Sequence, residues 1–164
     1  MFDFSITITV LFFVFVILTI YLGIKVVPQS KVFIVERFGK YHKTLNAGLS
    51  IIVPYLDKVQ YRVLILERQL EEFKISVITK DNVEVTLEST VFYRVIDAAK
   101  SVYRIKNLNS AINTAATSIV RSAAGRLELD ELQSSRDAMN VEIAKNLQEA
   151  AKIWGIEVTR TEIT

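Results

Sequence analysis

The spacing of apolar positions changes character along the chain and separates an uninterrupted apolar run, a two-residue alternation and a helical repeat. The run comes first. Between Asp3 and Lys25 lie 21 uncharged residues, Phe4 to Ile24 (FSITITVLFFVFVILTIYLGI). As a helix they would span about 31 Å, the thickness of a hydrocarbon core. Their β-branched and aromatic content makes a poor helix in water, but in lipid the backbone must satisfy its own hydrogen bonds, which overrides that preference. The segment is therefore expected to be a retained membrane anchor, carried by Phe4, Leu11, Phe12, Phe13, Phe15, Leu18, Tyr21 and Ile24, with Tyr21 suited to the headgroup layer. A cleaved signal peptide fits badly: no basic residue precedes the run, the run is too long, and no A-x-A site follows.

A period of two then sets in. Val32 to Phe38 (VFIVERF) reads as a strand closed by a turn at Gly39, and Tyr41-His42-Lys43 and Thr44 to Gly48 read as further turns. Leu49 to Leu56 (LSIIVPYL) is apolar, but Pro54 argues against a central strand. Two fates suit it, a buried edge strand or loop, or shallow insertion into the near leaflet by Leu49, Ile51, Ile52, Val53, Pro54, Tyr55 and Leu56. Val59 to Leu66 and Phe73 to Ile78 follow as strands. Thr79-Lys80-Asp81-Asn82 predicts a hairpin turn. From Val83 to Val95 the residues alternate, with Val83, Val85, Leu87, Ser89, Val91 and Tyr93 on one face and a polar, partly acidic set on the other.

After Asp97 the period becomes about 3.6. Asp97 is placed to cap a short helix and Asn107 a longer one running to Ala124, with an apolar stripe of Leu108, Ile112, Ala115, Ala116, Ile119, Val120 and Ala123, and Gly125 at its C′ position. A second long helix is expected from near Ser134, with Asp137 completing a capping-box variant; Met139, Ile143, Leu147, Ala150 and Trp154 share one face and Gly155 ends it. Ile156 to Ile163 is a final strand. The order is anchor, antiparallel strands, two substantial helices and a strand, an α+β arrangement.

Composition narrows the chemistry. The 164 residues include no Cys and one His, so a disulfide framework, a thiolate nucleophile and a four-ligand zinc site are excluded. A net charge of +2 is too small to argue for nucleic acid. The charge is uneven, however. No Lys or Arg precedes the apolar run, whereas Lys25, Lys31, Arg37, Lys40 and Lys43 follow it within 20 residues. The positive-inside rule then places everything after the anchor in the cytoplasm. The basic cluster suits either anionic headgroups or an ordinary solvated face. The five glycines, at 23, 39, 48, 125 and 155, build no dinucleotide or phosphate loop. His42 reads as an exposed loop residue, Glu71-Glu72 point to opposite faces of a strand, Ser134-Ser135 look like a helix start, and Trp154 reads as packing. No catalytic residue, cofactor-binding residue or metal ligand is expected.

An ordered set of short motifs completes the reading: Val27-Pro28-Gln29, Val35-Glu36-Arg37-Phe38-Gly39-Lys40-Tyr41, Leu45-x-x-Gly48-Leu49, Val53-Pro54, Thr79-Lys80-Asp81, Tyr93-Arg94-Val95, Leu129-Asp130-Glu131-Leu132, Arg136-Asp137 and Trp154-Gly155-Ile156-x-Val158-x-Arg160. Each is weak alone. Together, behind one anchor, they resemble the SPFH family (stomatin, prohibitin, flotillin, HflK and HflC), and most closely its stomatin-like paraslipin/QmcA branch.

The resemblance implies an anchor at 1–24, a membrane-proximal β-rich SPFH1-like part at 25–97 and an SPFH2-like α/β part at 98–164. It implies a scaffold and not an enzyme, a homo-oligomeric ring or cage on a lipid bilayer that organises a microdomain and encloses or regulates partners such as membrane proteases or NfeD-type proteins. It assigns Leu49 to Leu56 to a membrane-dipping loop and favours a head facing the cytoplasm from a cell (inner) membrane. In the family a coiled-coil helix, on which ring closure leans, follows the position of Thr164, so the chain reads as a fragment or a truncated member. The palmitoylated cysteines of some stomatins have no counterpart here. A monomeric tethered adaptor and a membrane-tethered hydrolase are the competing expectations.

Overall fold

The computed structural model describes residues 3–164. The chain divides into two compact units, the first ending at Leu64 and the second spanning Ile65–Thr164.

The first unit opens with helix α1, Phe4–Gly23, then strands β1, Ile24–Val27; β2, Lys31–Arg37; β3, Lys40–Leu45; β4, Gly48–Ile51; and β5, Asp57–Leu64. The strands make an antiparallel β1–β4 ribbon and a three-stranded antiparallel sheet ordered β3-β2-β5. Val27, Phe33, Val35, Leu45 and Ile52 form the core with Val59 against it. The β2–β3 turn has only two residues, Phe38 and Gly39, because Arg37 pairs with Lys40. Both take positive φ, 53° and 76°, as a type I′ turn requires. Glycine does so freely. A phenylalanine there is strained by roughly 1–2 kcal/mol.

The second unit contains β6, Arg68–Gln69; β7, Phe73–Ile78; β8, Glu84–Val95; α2, Ala98–Tyr103; α3, Leu108–Gly125; α4, Leu129–Ser134; α5, Arg136–Ala151; a 3₁₀ turn, Lys152–Trp154; and β9, Ile156–Ile163. Ser89 of β8 pairs with both Phe73 and Ile163, and Tyr93 with both Arg68 and Val158. β8 is thus central, with β6 and β7 along one edge and β9 along the other. The alternation in β8 buries Leu87, Ser89, Val91, Tyr93 and Val95. Ile75, Val77 and Leu87 of the sheet, Val120, Ala123 and Ala124 of α3, Leu132 of α4 and Met139 and Ile143 of α5 form one core with Ile163. The opposite face carries the ion pairs Lys74–Glu88 and Arg94–Glu157.

Several sequence expectations are met closely. Strands run over Phe73–Ile78 and Ile156–Ile163, and the Asp97 and Asn107 side chains cap α2 and α3 by accepting from the Lys100 and Ser110 amides. Others are corrected. Tyr41-His42-Lys43 is not a turn but lies within β3, whose pairing with β2 carries it past the polar residues, and His42 is exposed on that strand. Ile24 opens β1 instead of ending the helix, because it pairs with Ile51. Gly125 lies inside α3 without a left-handed conformation. Leu129–Ser134 is a separate short helix whose capping box is Glu128 and Glu131, and Ser135 begins α5 without a side-chain cap. The buried face of α5 ends in Ala151, not Ala150, following the helix's own twist. Within the second unit, which begins at Ile65, β6 to β8 share one sheet with β9.

Candidate membrane-facing surface

α1 has 20 residues, a length of about 30 Å at about 1.5 Å per residue, and is long and apolar enough to cross a membrane. Nearly all its side chains are exposed, and no polar face interrupts them. Two hydroxyls are satisfied within the helix, Thr9 donating to the Ser5 carbonyl and Thr19 to the Phe15 carbonyl. Such back-bonding is the usual means of carrying a hydroxyl through an apolar medium.

The 49–56 run does not fold away. β1 and β4 pair Ile24 with Ile51 and Val26 with Leu49, and these four side chains all project outward, Val26 and Leu49 each 72% exposed. Beyond β4, Ile52 alone turns inward, at 4%, while Val53, Tyr55 and Leu56 remain exposed. The loop is pinned to the helix. Gly23 accepts a backbone hydrogen bond from the Ile52 amide at 2.8 Å. A Cβ on Gly23 would stand 2.7 Å from the Ile52 carbonyl oxygen, so only glycine permits this approach. The Tyr55 ring stacks on Phe15, centroids 6.0 Å apart and planes within 4°, and its hydroxyl lies 3.3 Å from Thr19 Oγ1. Phe15 is about 12 Å along the helix from Gly23. The loop therefore runs back beside α1, towards its middle.

A charged clasp holds the loop's base. Arg37, the last residue of β2, donates through Nε to Asp57 Oδ1 at 2.6 Å and through Nη2 to Oδ2 at 3.1 Å. Asp57 Oδ2 also accepts from the Val53 amide at 3.1 Å, and the Val53 carbonyl accepts from the Leu56 and Asp57 amides. Lys43 Nζ donates to the Ile51 carbonyl at 2.9 Å. The Asp57 side chain is only 1% exposed, so its charge is sustained by these partners. The Arg37 hydrogen bonds, with the Val53 amide, hold its carboxyl down to about 2, and the Arg37 guanidinium is correspondingly pushed up. His42, on β3, adds a small pull in the same direction.

A carboxyl depressed by folding stabilises the fold fully above its unfolded value and loses that contribution as pH falls through the folded value. The clasp is therefore expected to hold unchanged from about pH 8 to about pH 5 and to open only as pH falls from about 3.9 towards 2. Asp57→Asn, which keeps the shape but removes the charge, is expected to leave β5 paired while freeing the loop. Amide exchange at Val53, read by NMR or mass spectrometry, should accelerate roughly tenfold or more, since a charge-assisted bond is exchanged for a neutral one. Unchanged exchange would dismiss the clasp.

The five cations expected at the headgroups thus take different places. Arg37 and Lys43 are turned to Asp57 and the Ile51 carbonyl. Lys40 is exposed, and Lys25 and Lys31 are half-buried. Lys25 also lines a cleft of about 320 Å³ with Leu22, Pro54, Lys58 and Arg62, two cations that the charge pattern near the anchor did not single out. The Phe15–Tyr55 stack, Gly23 and Asp57 were likewise missed, because each acts through a partner distant in sequence. Among the described residues no group of three or more His, Asp or Glu is placed to hold a metal. Asp130 and Glu131 lie in the first turn of α4, where the Glu131 carboxylate accepts a hydrogen bond from the Glu128 amide.

One membrane-length apolar helix leading into antiparallel strands, then an α/β unit closed by a final strand, defines an α+β protein led by a candidate membrane span. The chain belongs to the SPFH domain / Band 7 family, whose profile covers residues 25–164. It is similar to an uncharacterized protein of Schizosaccharomyces pombe, 36% identical over 140 residues, which cover 85% of this chain and 40% of that protein. It is also similar to the mitochondrial stomatin-like protein 2 of Homo sapiens, 33% identical over 137 residues, 84% of this chain and 38% of that one. An uncharacterized protein of Mycobacterium tuberculosis is 30% identical over 150 residues, 92% of this chain and 39% of its own length. The chain spans about two fifths of the length of these curated relatives.

Proposed function

We propose that the chain is the membrane-bound head of a non-catalytic scaffold that self-associates laterally in the plane of a bilayer. The observation that carries this reading is the alignment of the exposed Val53–Leu56 loop with α1. With α1 spanning the membrane, the Phe15–Tyr55 stack supports a loop inside the near leaflet and a head that lies on the lipid surface instead of hanging from a tether. The Lys and Arg after the anchor, with none before it, support a head on the cytoplasmic side of a cell membrane. Membership of the SPFH domain / Band 7 family supports assembly into a ring or cage that organises a microdomain and encloses or regulates partner membrane proteins, membrane proteases or an NfeD-type protein among them.

The physics of assembly is effective concentration. Heads confined to one plane and one orientation meet at high local density, so contacts too weak for solution suffice. Lysine-reactive cross-linking in native membranes is expected to give a ladder extending well past the dimer. A single band of monomer mass at native density would replace the scaffold by a monomeric tethered adaptor.

A further inference from the structure

We propose that the Phe38–Gly39 turn is a second membrane-inserting tip, its Phe38 ring seated among lipid chains beside the Val53–Leu56 loop. The proposal rests on the membrane-facing reading of that loop and extends it to a residue no apolar run announces.

Position comes first. Arg37 pairs with Lys40 on one side and Asp57 on the other, so the turn after β2 and the loop before β5 leave the same end of the β3-β2-β5 sheet. The Arg37–Asp57 clasp ties the two together. Since that loop runs beside α1 towards Phe15, the same end of the sheet faces whatever surrounds the helix.

Chemistry comes second. Phe38 is 80% exposed, whereas Phe33 on the strand before it is buried in the core. Its ring is therefore little packed, yet its backbone carries the strain of φ 53° where asparagine would sit more easily. A strained backbone holding an exposed apolar ring indicates a role outside the folded unit. The neighbours fit an interface. Tyr41 and Lys40 are exposed beside it, an aromatic and a cation suited to the headgroup layer, while the Arg37 charge just behind the tip is matched by Asp57. Lipid is favoured over a second copy of the chain because the tip is continuous with the loop already placed beside the anchor.

Depth-dependent fluorescence tests this in the full chain, reconstituted in vesicles of phosphatidylcholine and phosphatidylglycerol. Trp154→Phe removes the one native tryptophan. In that background Phe38→Trp and Tyr55→Trp each report one site, with and without brominated acyl chains. Both are expected to show blue-shifted emission quenched by the brominated lipid. Quenching of Tyr55→Trp with Phe38→Trp emitting as in water would overturn the second tip and leave the loop reading intact. Quenching of neither would overturn both. A blue-shifted Phe38→Trp that brominated lipid does not quench would place the ring against another copy and overturn the lipid assignment. Phe38→Asn is expected to raise the unfolding midpoint of the N-terminal unit, since asparagine suits the turn. A lowered midpoint would show the ring to be a folding element and dismiss the proposal.

Discussion

Arginine in place of both Phe12 and Phe13 is expected to release the protein from membranes on alkaline extraction, whereas the unaltered chain stays with the bilayer. These residues sit near the middle of Phe4–Gly23, too far from either surface for a long side chain to reach headgroups. Each arginine costs about 2.5–3.5 kcal/mol at the centre of a spanning helix, so the pair costs about 5–7 kcal/mol. The first unit offers no compensating carboxylate along the helix: between Asp3 and Lys25 there is no ionisable acid to pair with. Phe4→Arg, at the helix's edge, is expected to have little effect because its head can return to the interface. Should the doubly substituted chain remain in the pellet, α1 would not be the element that holds the head to the bilayer.

Gly155→Ala is expected to destabilise the second unit by about 2–5 kcal/mol, read as a lower midpoint in its unfolding transition by circular dichroism in detergent micelles. Two costs combine. Gly155 has φ 69°, which costs an alanine roughly 1–2 kcal/mol. A Cβ there would also run into the Asp97 carbonyl oxygen, and would stand 2.8 Å from Asp97 Cβ and 2.9 Å from Lys100 Cβ, an overpacking of about 1–3 kcal/mol. The position cannot retreat. The Gly155 carbonyl accepts from both the Ile96 and Asp97 amides at 2.9 Å, and the Asp97 side chain caps α2. One methyl group thus disturbs the end of β8, the start of α2 and the start of β9 together. A transition unchanged by the substitution would mean that the close approach to Asp97 is not maintained in solution.

The elements that repeat within themselves could be read from the chain. β8 shows its buried face through strict alternation from Leu87 to Val95, and α3 through Ile112, Ala116, Val120 and Ala123. The anchor was equally plain, being a matter of length and absence of charge. Short or partner-dependent elements escaped. β1 has four residues and exists because β4 lies beside it, so a reading of Phe4 to Ile24 alone extends the helix one residue too far. β3 carries Tyr41, His42 and Lys43, which look like a turn in isolation and form a strand because β2 supplies the hydrogen bonds. Of the seven residues expected to dip into lipid, Ile52 is in the core, and nothing in the run LSIIVPYL distinguishes it from Ile51.

The family pattern places the chain without any geometry, because an ordered set of short motifs resists chance even where each motif is weak. The membrane-facing surface divides differently. Its anchor is a one-dimensional property: a bilayer asks only for a stretch of sufficient length without charge, and sequence states both. Its loop and its clasp are relations between residues far apart in the chain, Phe15 with Tyr55 and Arg37 with Asp57. Whether an apolar side chain faces core or lipid depends on what packs behind it, and a buried carboxylate on what pairs with it. The uncharged apolar run therefore set out a helix of membrane-spanning length by itself, whereas strand register and backbone conformation decided which apolar residues stand exposed beside it.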